Sequence, residues 1–417
     1  MPGSLLVRGA RQLLTLRGSA EPRRGSALKE LGIIRDGALL IEDGRIVEVG
    51  LSRRVENLAL VRRSQELDAT GHVVMPGFVD CHAHLVRGVE RLGEGEAGMT
   101  GADQPAPGTE STFQGLRNVS ANRLEARARQ FVNAMARHGT TALEAKSGHG
   151  LDARGELKIL RVQATLDGAP LDIASTFLTP RSIPAAHAGD PAGYLAWLCA
   201  ELLPAIRRRT SARFAGLRCD GVFNTVESRR YLETARSFGF QLKIHAGRCP
   251  AAAAVRLAAE ARAASVEHLR DAGPADVDLL ARSNILAVLL PGDEFQRGSG
   301  PRAPARPLID GGAAVALGSN FNPGARSTYS MAAIVALACA HLGMSPAEAV
   351  CAATFNAACA IGSEAVAGSL EVGKSADLIV LNASDYREIP YHFGVNLVNR
   401  TVKRGVTIYQ EGKVAGR

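Results

Sequence analysis

Hydrophobic and polar positions change their period twice along the chain. Near the N-terminus, Leu5-Leu6-Val7 and Leu13-Leu14-Thr15-Leu16 read as short strands. Leu39-Leu40-Ile41-Glu42 and Arg45-Ile46-Val47-Glu48-Val49 flank Asp43-Gly44, a dipeptide that tolerates the positive φ angles of a tight hairpin. Near the C-terminus, Ala376 to Leu381 predicts a strand, and Val402 with Val406-Thr407-Ile408-Tyr409 predicts another hairpin. Two β-rich ends around a long middle predict a small β-sandwich domain assembled from residues 1–75 and 366–417.

Between them, residues 76–365 alternate short apolar runs with longer segments of helical period. Eight strands are predicted: Phe78–Cys81, Thr141–Ala145, Ile173–Leu178, Phe214–Cys219, Gln241–Ile244, Ser265–Glu267, Ile285–Leu290 and Ala314–Leu317. Each precedes a helix, or a loop and a helix; the Ala-rich stretch from Ala251 to Ala264 is one such helix. Eight repeats of this unit fit an α/β fold of the (β/α)8 TIM barrel type better than a doubly wound sheet. Gly101 to Gly108, with Pro105 and Pro107, predicts a long surface loop on the catalytic side.

Composition narrows the function. With 46 % apolar and 22 % charged residues, the chain is neither disordered, collagen-like nor a coiled coil. The longest apolar run, Met331 to Ala340, is about half of what a membrane span needs. The net charge of +8 is spread as Arg pairs and short clusters, and aromatics are only 5 %, so no basic stripe for nucleic acid emerges. Seven cysteines without a C-x-x-C pair suit free thiols in a reducing compartment. The first 25 residues are Arg-rich but lack the apolar core of a signal peptide, and a cytoplasmic location is expected.

In a barrel, catalytic groups come from the C-terminal ends of strands. The first strand ends in Asp80-Cys81-His82-Ala83-His84, and residues i and i+2 of a strand point the same way, so His82 and His84 can grip one ion. His245 closes the fifth strand and His268 the sixth. Four of the ten histidines therefore fall on one rim. His138 precedes Gly139 at a helix end, and His72, His187, His341 and His392 sit in ordinary loop or helix contexts. His149, following the second strand, is placed to touch a ligand rather than a metal.

These residues carry a resemblance. The chain resembles the amidohydrolase superfamily and, within it, the imidazolonepropionase family of histidine degradation. The matching segments include Pro76-Gly77-Phe78-Val79-Asp80-Cys81-His82-Ala83-His84 and Lys146-Ser147-Gly148-His149-Gly150-Leu151. Lys243-Ile244-His245-Ala246, Glu267-His268-Leu269, Asn322-Pro323-Gly324 and the tail from Gly368 to Leu378 also match. The resemblance implies one Zn²⁺ or Fe²⁺ held by His82, His84, His245 and Asn320, with His268 contacting the attacking water. It further implies that Arg91 grips the carboxylate of a small anionic substrate. His149, Arg181 and Arg248 fall in the substrate-binding shell, and a homodimer fits the family. The implied reaction adds water across a ring C–N bond of 4-imidazolone-5-propanoate to give N-formimino-L-glutamate.

The pattern breaks at strand 8, where the family's Asp is Asn320. An amide brings no negative charge and takes no proton from water near neutral pH. Arg181 stands for a histidine, Arg248 for an acidic or amide residue, and His149 for a tyrosine. The added positive charge predicts either a weakly held metal or an anionic ligand among these groups. Asp293 and Glu294, after Pro291-Gly292, read as a solvated acidic pair in a loop, with a substitute base as the rival reading; Asp220 is a similar candidate. The alternative to a hydrolase is a catalytically silent relative that binds a small anion or a partner protein. An aminohydrolase of nucleobases would share the histidines but not the Lys146–Leu151 segment.

Overall fold

Eight strands, nearly all of their residues buried, run parallel through the centre of the molecule in chain order. The computed structural model describes residues 3–18, 20–87, 115–181, 183–184, 187–219, 222–247, 249–298, 300–323 and 328–412. The barrel strands are Phe78–Ala83, Thr140–Lys146, Asp172–Leu178, Phe214–Arg218, Gln241–His245, Ser265–Glu267, Leu286–Leu289 and Ala314–Leu317. Each pairs with the next in parallel register. The first and eighth meet through a parallel bridge between Ala83 and Phe321, with the His84 N–H donating to the Phe321 carbonyl at 2.7 Å. All eight expected strands are present. The first runs two residues past Cys81, because it is paired through its polar end.

The helices between strands are capped by their own sequence. Ser120 Oγ accepts from Arg123 N–H at 3.3 Å to start Ala121–Arg137, which ends at His138 and Gly139 (φ +84°). The Ala-rich helix covers Ala251–Glu260 and stops short of Ala264 because Arg262 takes a positive φ of 42°. Apolar faces of these helices pack on the barrel through residues such as Phe177, Leu217, Ile244 and Leu280.

Two further sheets flank the barrel. One has four strands in the order Arg45–Leu51, Gly37–Glu42, Leu5–Ala10, Gln65–Asp68. The other has six, ordered Val406–Gln410, Val398–Lys403, Leu378–Leu381, Val73–Pro76, Gln12–Leu14, Ile33–Ile34, and so draws on both chain ends. The expected hairpin turns at Asp43 and Gly44, both at positive φ (48° and 78°). Val7, Leu39, Ile41 and Leu67 of the first sheet share a core with Leu13, Val74, Leu378 and Val402 of the second, making a sandwich. It is fastened to the barrel by buried polar contacts: Lys403 Nζ lies 2.6 Å from both Asp172 and Asp377, and Thr401 donates to the Ala136 carbonyl at 2.8 Å. No helix among the described residues is long and apolar enough to cross a membrane.

Candidate metal centre

The barrel mouth is built on a charged layer inside the strands. Glu144 and Lys146 alternate inward on the second strand, Lys243 and His245 on the fifth, and Ser265 and Glu267 on the sixth. Lys146 Nζ donates to Glu144 at 2.6 Å and to Glu267 at 2.7 Å; Lys243 Nζ donates to Glu144 at 2.7 Å and to the Ala360 carbonyl at 2.8 Å. Two cations and two anions, all sealed from solvent, thus neutralise one another. Burial alone would raise both carboxyls, but the two lysines hold Glu144 low, and Lys146 with His82 holds Glu267 well below its usual range.

Glu267 passes this order to the histidines. Its Oε2 lies 3.0 Å from His82 Nδ1 and 3.2 Å from His245 Nδ1. At His245 the contact is a hydrogen bond, which places the proton on Nδ1 and leaves Nε2 as the lone-pair nitrogen; at His82 the carboxylate faces Nδ1 without hydrogen-bond geometry and acts through its charge. Burial pushes the His82 imidazole down to about 4, against the pull of Glu267. His245 is lowered further, by burial and then by Arg218, and His268 is lowered by burial against the favourable Asp293. All three stay neutral near pH 7, which metal ligation requires.

His82, His245 and His268 bring one donor atom each to within 4.8 Å of one another. The Nε2 atoms of all three are buried and have no hydrogen-bond partner. Buried polar atoms are rarely left so, and three convergent imidazole nitrogens suit a divalent cation of the Zn²⁺ or Fe²⁺ type. The residues therefore fit the metal. His84 is not part of this group: its ring centroid lies 5.4 Å from that of His82 and 5.2 Å from that of His149. Burial, then His149, holds the His84 imidazole well below its usual range.

Asn320 is placed by the eighth strand's exit. Its N–H donates to the His82 carbonyl at 2.9 Å, and its φ of 51° is one that Asn accepts more readily than most residues. Ser319 holds Asp80 through both its N–H, at 2.9 Å, and its hydroxyl. Burial still pushes the Asp80 carboxyl up to about 6. His268 and Leu269 also take positive φ (78° and 58°), local strain of a kind that collects at functional sites.

The loop carrying His149 is clamped by Glu156, whose carboxylate accepts from Gly148 N–H at 3.0 Å and from Gly150 N–H. Burial, then the charges of Arg87, Arg218 and Arg181, holds the His149 imidazole well below its usual range. Arg181 thus acts on the mouth electrostatically. Arg91, Arg248, Asp220 and the Gly101–Gly108 loop lie outside the described residues.

Two expectations need correction. Asp293 is not a solvated loop residue: it sits in the helix Pro291–Arg297, 1 % exposed, with Oδ1 3.4 Å from Asn320 Nδ2. Glu294, its neighbour, turns elsewhere and accepts from Ala303 N–H at 3.3 Å. Sequence reading also missed Glu144, Lys146, Lys243 and Glu267 as site residues, although a charge within an otherwise apolar strand was the available signal. Arg218 was missed too: buried at the end of the fourth strand, it donates through Nε to the Thr179 carbonyl at 3.0 Å.

Comparison with known proteins accords with this geometry. The model of the amidohydrolase family matches residues 73–408. This chain belongs to the amidohydrolase family. Among its relatives, an imidazolonepropionase of Symbiobacterium thermophilum is 41 % identical over 425 residues, covering all of both chains. Another, from Geobacillus kaustophilus, is 39 % identical over 423 residues, covering 98 % of this chain and 99 % of its own. Among solved structures, a zinc-bound adenosine deaminase from Xanthomonas campestris superposes with a TM-score of 0.70 at 18 % identity, covering 97 % of this chain and 93 % of its own. An N-isopropylammelide isopropylaminohydrolase from Burkholderia multivorans gives 0.71 at 18 %, covering 99 % and 100 %. At such identity these two structures speak for the fold alone.

Proposed function

We propose that this amidohydrolase opens the ring of 4-imidazolone-5-propanoate with water, giving N-formimino-L-glutamate. The observation that carries the reading is the buried cluster of His82, His245 and His268, which bring one ring nitrogen each to within 4.8 Å of one another at the barrel mouth and whose Nε2 atoms have no hydrogen-bond partner. It is supported by full-length relatives that bear the imidazolonepropionase name.

In this reading His82 and His245, two members of that histidine cluster, hold one Zn²⁺ or Fe²⁺ together with His84, which the resemblance adds and whose ring would have to turn toward them, and with Asn320 as the strand-8 donor. His268, the cluster's third member, faces the water beside the ion. When bound, a divalent cation makes water acidic and polarises the ring carbonyl. His268 holds the attacking water by hydrogen bonding. Its neutral imidazole can both donate and accept, and Asp293 beside Nδ1 leaves Nε2 to face the water. Buried Arg218 keeps positive charge at the mouth, where His149 and Arg181 face an anionic substrate and the resemblance adds Arg91 and Arg248. Asn320 cannot take the proton of the attacking water, and loss of a general base costs about 10²- to 10⁴-fold in rate.

A second reading is favoured by one observation: Arg87, Arg181 and Arg218 all act on His149. A mouth so charged suits a silent relative that binds a small anion. Metal analysis of the purified chain, with spectroscopic assay of imidazolone propionate, separates the two. The hydrolase reading expects about one ion per chain and measurable turnover. A metal-free chain with no turnover, which still binds the substrate in calorimetry, overturns it in favour of the anion binder.

A further inference from the structure

Asn320 and His268 come from different strands and meet at one carboxylate that belongs to neither. Asp293 lies in the first turn of the helix after the seventh strand. Gly292 brings that turn close to the helix Met331–Leu342: a Cβ there would stand 3.1 Å from Ile334 Cδ1. The turn is thus pressed inward, and Asp293 is buried at 1 % exposure. Its Oδ1 faces Asn320 Nδ2 at 3.4 Å, and its Oδ2 lies 3.5 Å from His268 Nδ1 and 3.1 Å from Arg297 Nε.

An ionised carboxylate only accepts, so it selects one orientation of each neighbour. The Asn320 amide turns its NH₂ toward Asp293, which leaves Oδ1 for another partner. The same charge, 3.5 Å from His268 Nδ1, favours the proton on that nitrogen electrostatically, although the two make no hydrogen bond, and so favours an Nε2 lone pair within the buried cluster. Arg297 has a side chain 39 % exposed, so water screens its charge while the carboxylate it touches is sealed in.

We propose that Asp293 is a positioning residue that supplies, from just behind Asn320, the negative charge that strand 8 lacks in this chain. The helix after strand 7 thereby offsets the charge of a bound divalent cation and holds the Asn320 amide and His268 imidazole in their ligand-facing orientations. This rests on the metal-dependent reading above, but its test does not depend on turnover.

The test is a cycle of Zn²⁺ affinities, read by competition with a chromogenic chelator, for the parent chain, Asp293→Asn, Asn320→Asp and the double variant. Removing an outer partner of a metal ligand weakens binding by about 10- to 100-fold, and Asp293→Asn is expected to lose at least that lower figure. Asn320→Asp is expected to bind more tightly than the parent. In that background the carboxylate is supplied directly, so adding Asp293→Asn should cost no more than about twofold, the spread expected of independent sites. A loss equal in both backgrounds marks a merely structural role and overturns the proposal, as does a single Asp293→Asn within about twofold of the parent.

Melting of the chelator-treated proteins reports whether each variant folds. Arg297→Gln is the second probe: it keeps Asp293 and removes a screened competing cation, so Zn²⁺ affinity should hold or rise, and binding weakened by more than about twofold overturns the proposal. Absence of Zn²⁺ binding in the parent and in Asn320→Asp alike would overturn the hydrolase reading itself, an outcome distinct from an uncoupled cycle.

Discussion

Lys146 and Glu267 form an ion pair at 2.7 Å with both side chains fully sealed from solvent. The other oxygen of the same carboxylate stands beside His82 and His245, so one residue links the barrel's interior charge layer to the candidate metal centre. Glu267→Gln should therefore act twice. The amide leaves Lys146 short of countercharge, and unpairing a buried charge costs about 3–5 kcal/mol. It also presents a neutral group to two imidazoles, and metal affinity should fall about 10- to 100-fold. Urea unfolding of the metal-free protein measures the first effect and chelator competition the second. A variant that loses stability but keeps its metal affinity would confine Glu267 to a structural role.

The histidines separate by which step they serve. His82→Ala and His245→Ala should abolish metal retention, because both residues belong to the observed donor cluster and to the proposed ligand set. His84→Ala should lower occupancy, since the proposed ligand set includes it. His268→Ala should keep most of the metal and lose about 10²- to 10⁴-fold in turnover, the range for a group that handles the attacking water. Metal content and kcat measured on the same preparations decide between these roles. The opposite pattern would make His268 the third ligand and His84 a neighbour of it.

The barrel was legible because its strands are continuous apolar runs bounded by turns, a pattern that a buried parallel sheet imposes. His82, His245 and His268 were legible because each closes such a run. The charged layer beneath them was not. Glu144, Lys146, Lys243 and Glu267 each look like a flaw in an apolar strand, and only the juxtaposition of the second, fifth and sixth strands across the barrel shows that they cancel. Asp293 was misread for a similar reason. Its local sequence, Pro291-Gly292-Asp293-Glu294, has the composition of a solvated turn. Its burial depends on a helix about 40 residues further along the chain, a contact that no local pattern encodes.

The loop that presents His149 depends on Gly148. Its φ is +89°, and a Cβ at this position would lie 2.4 Å from the Leu178 carbonyl oxygen. Gly148→Ala must therefore move the loop or the end of the third strand, at a cost of about 1–3 kcal/mol for the strained backbone alone. Because Glu156 ties Gly148 and Gly150 together, the displacement should carry His149 with it. The expected result is a lower melting temperature together with a raised KM and little change in metal content. A KM at the parent's value would remove this loop from the substrate-binding shell.

Glu294 gives the fold a pH dependence of unusual sign. Burial pushes its carboxyl from 4.5 up to about 7, with the Ala303 N–H opposing and Asp293 adding to the rise. A carboxyl whose pKa is higher in the folded state binds its proton more tightly there than in the unfolded chain. Its contribution is therefore most favourable below about pH 4.5 and is lost as the pH rises to about 7, the reverse of a salt-bridged carboxylate. The group is partly exposed, so after allowance for screening the loss is about 1–2 kcal/mol. Glu294→Gln keeps an acceptor for Ala303 and removes the charge. It should raise the melting temperature at pH 8 relative to the parent and leave it nearly unchanged at pH 5. Melting curves for the two proteins that run parallel from pH 5 to pH 8 would show that Glu294 is ionised at no cost to the fold.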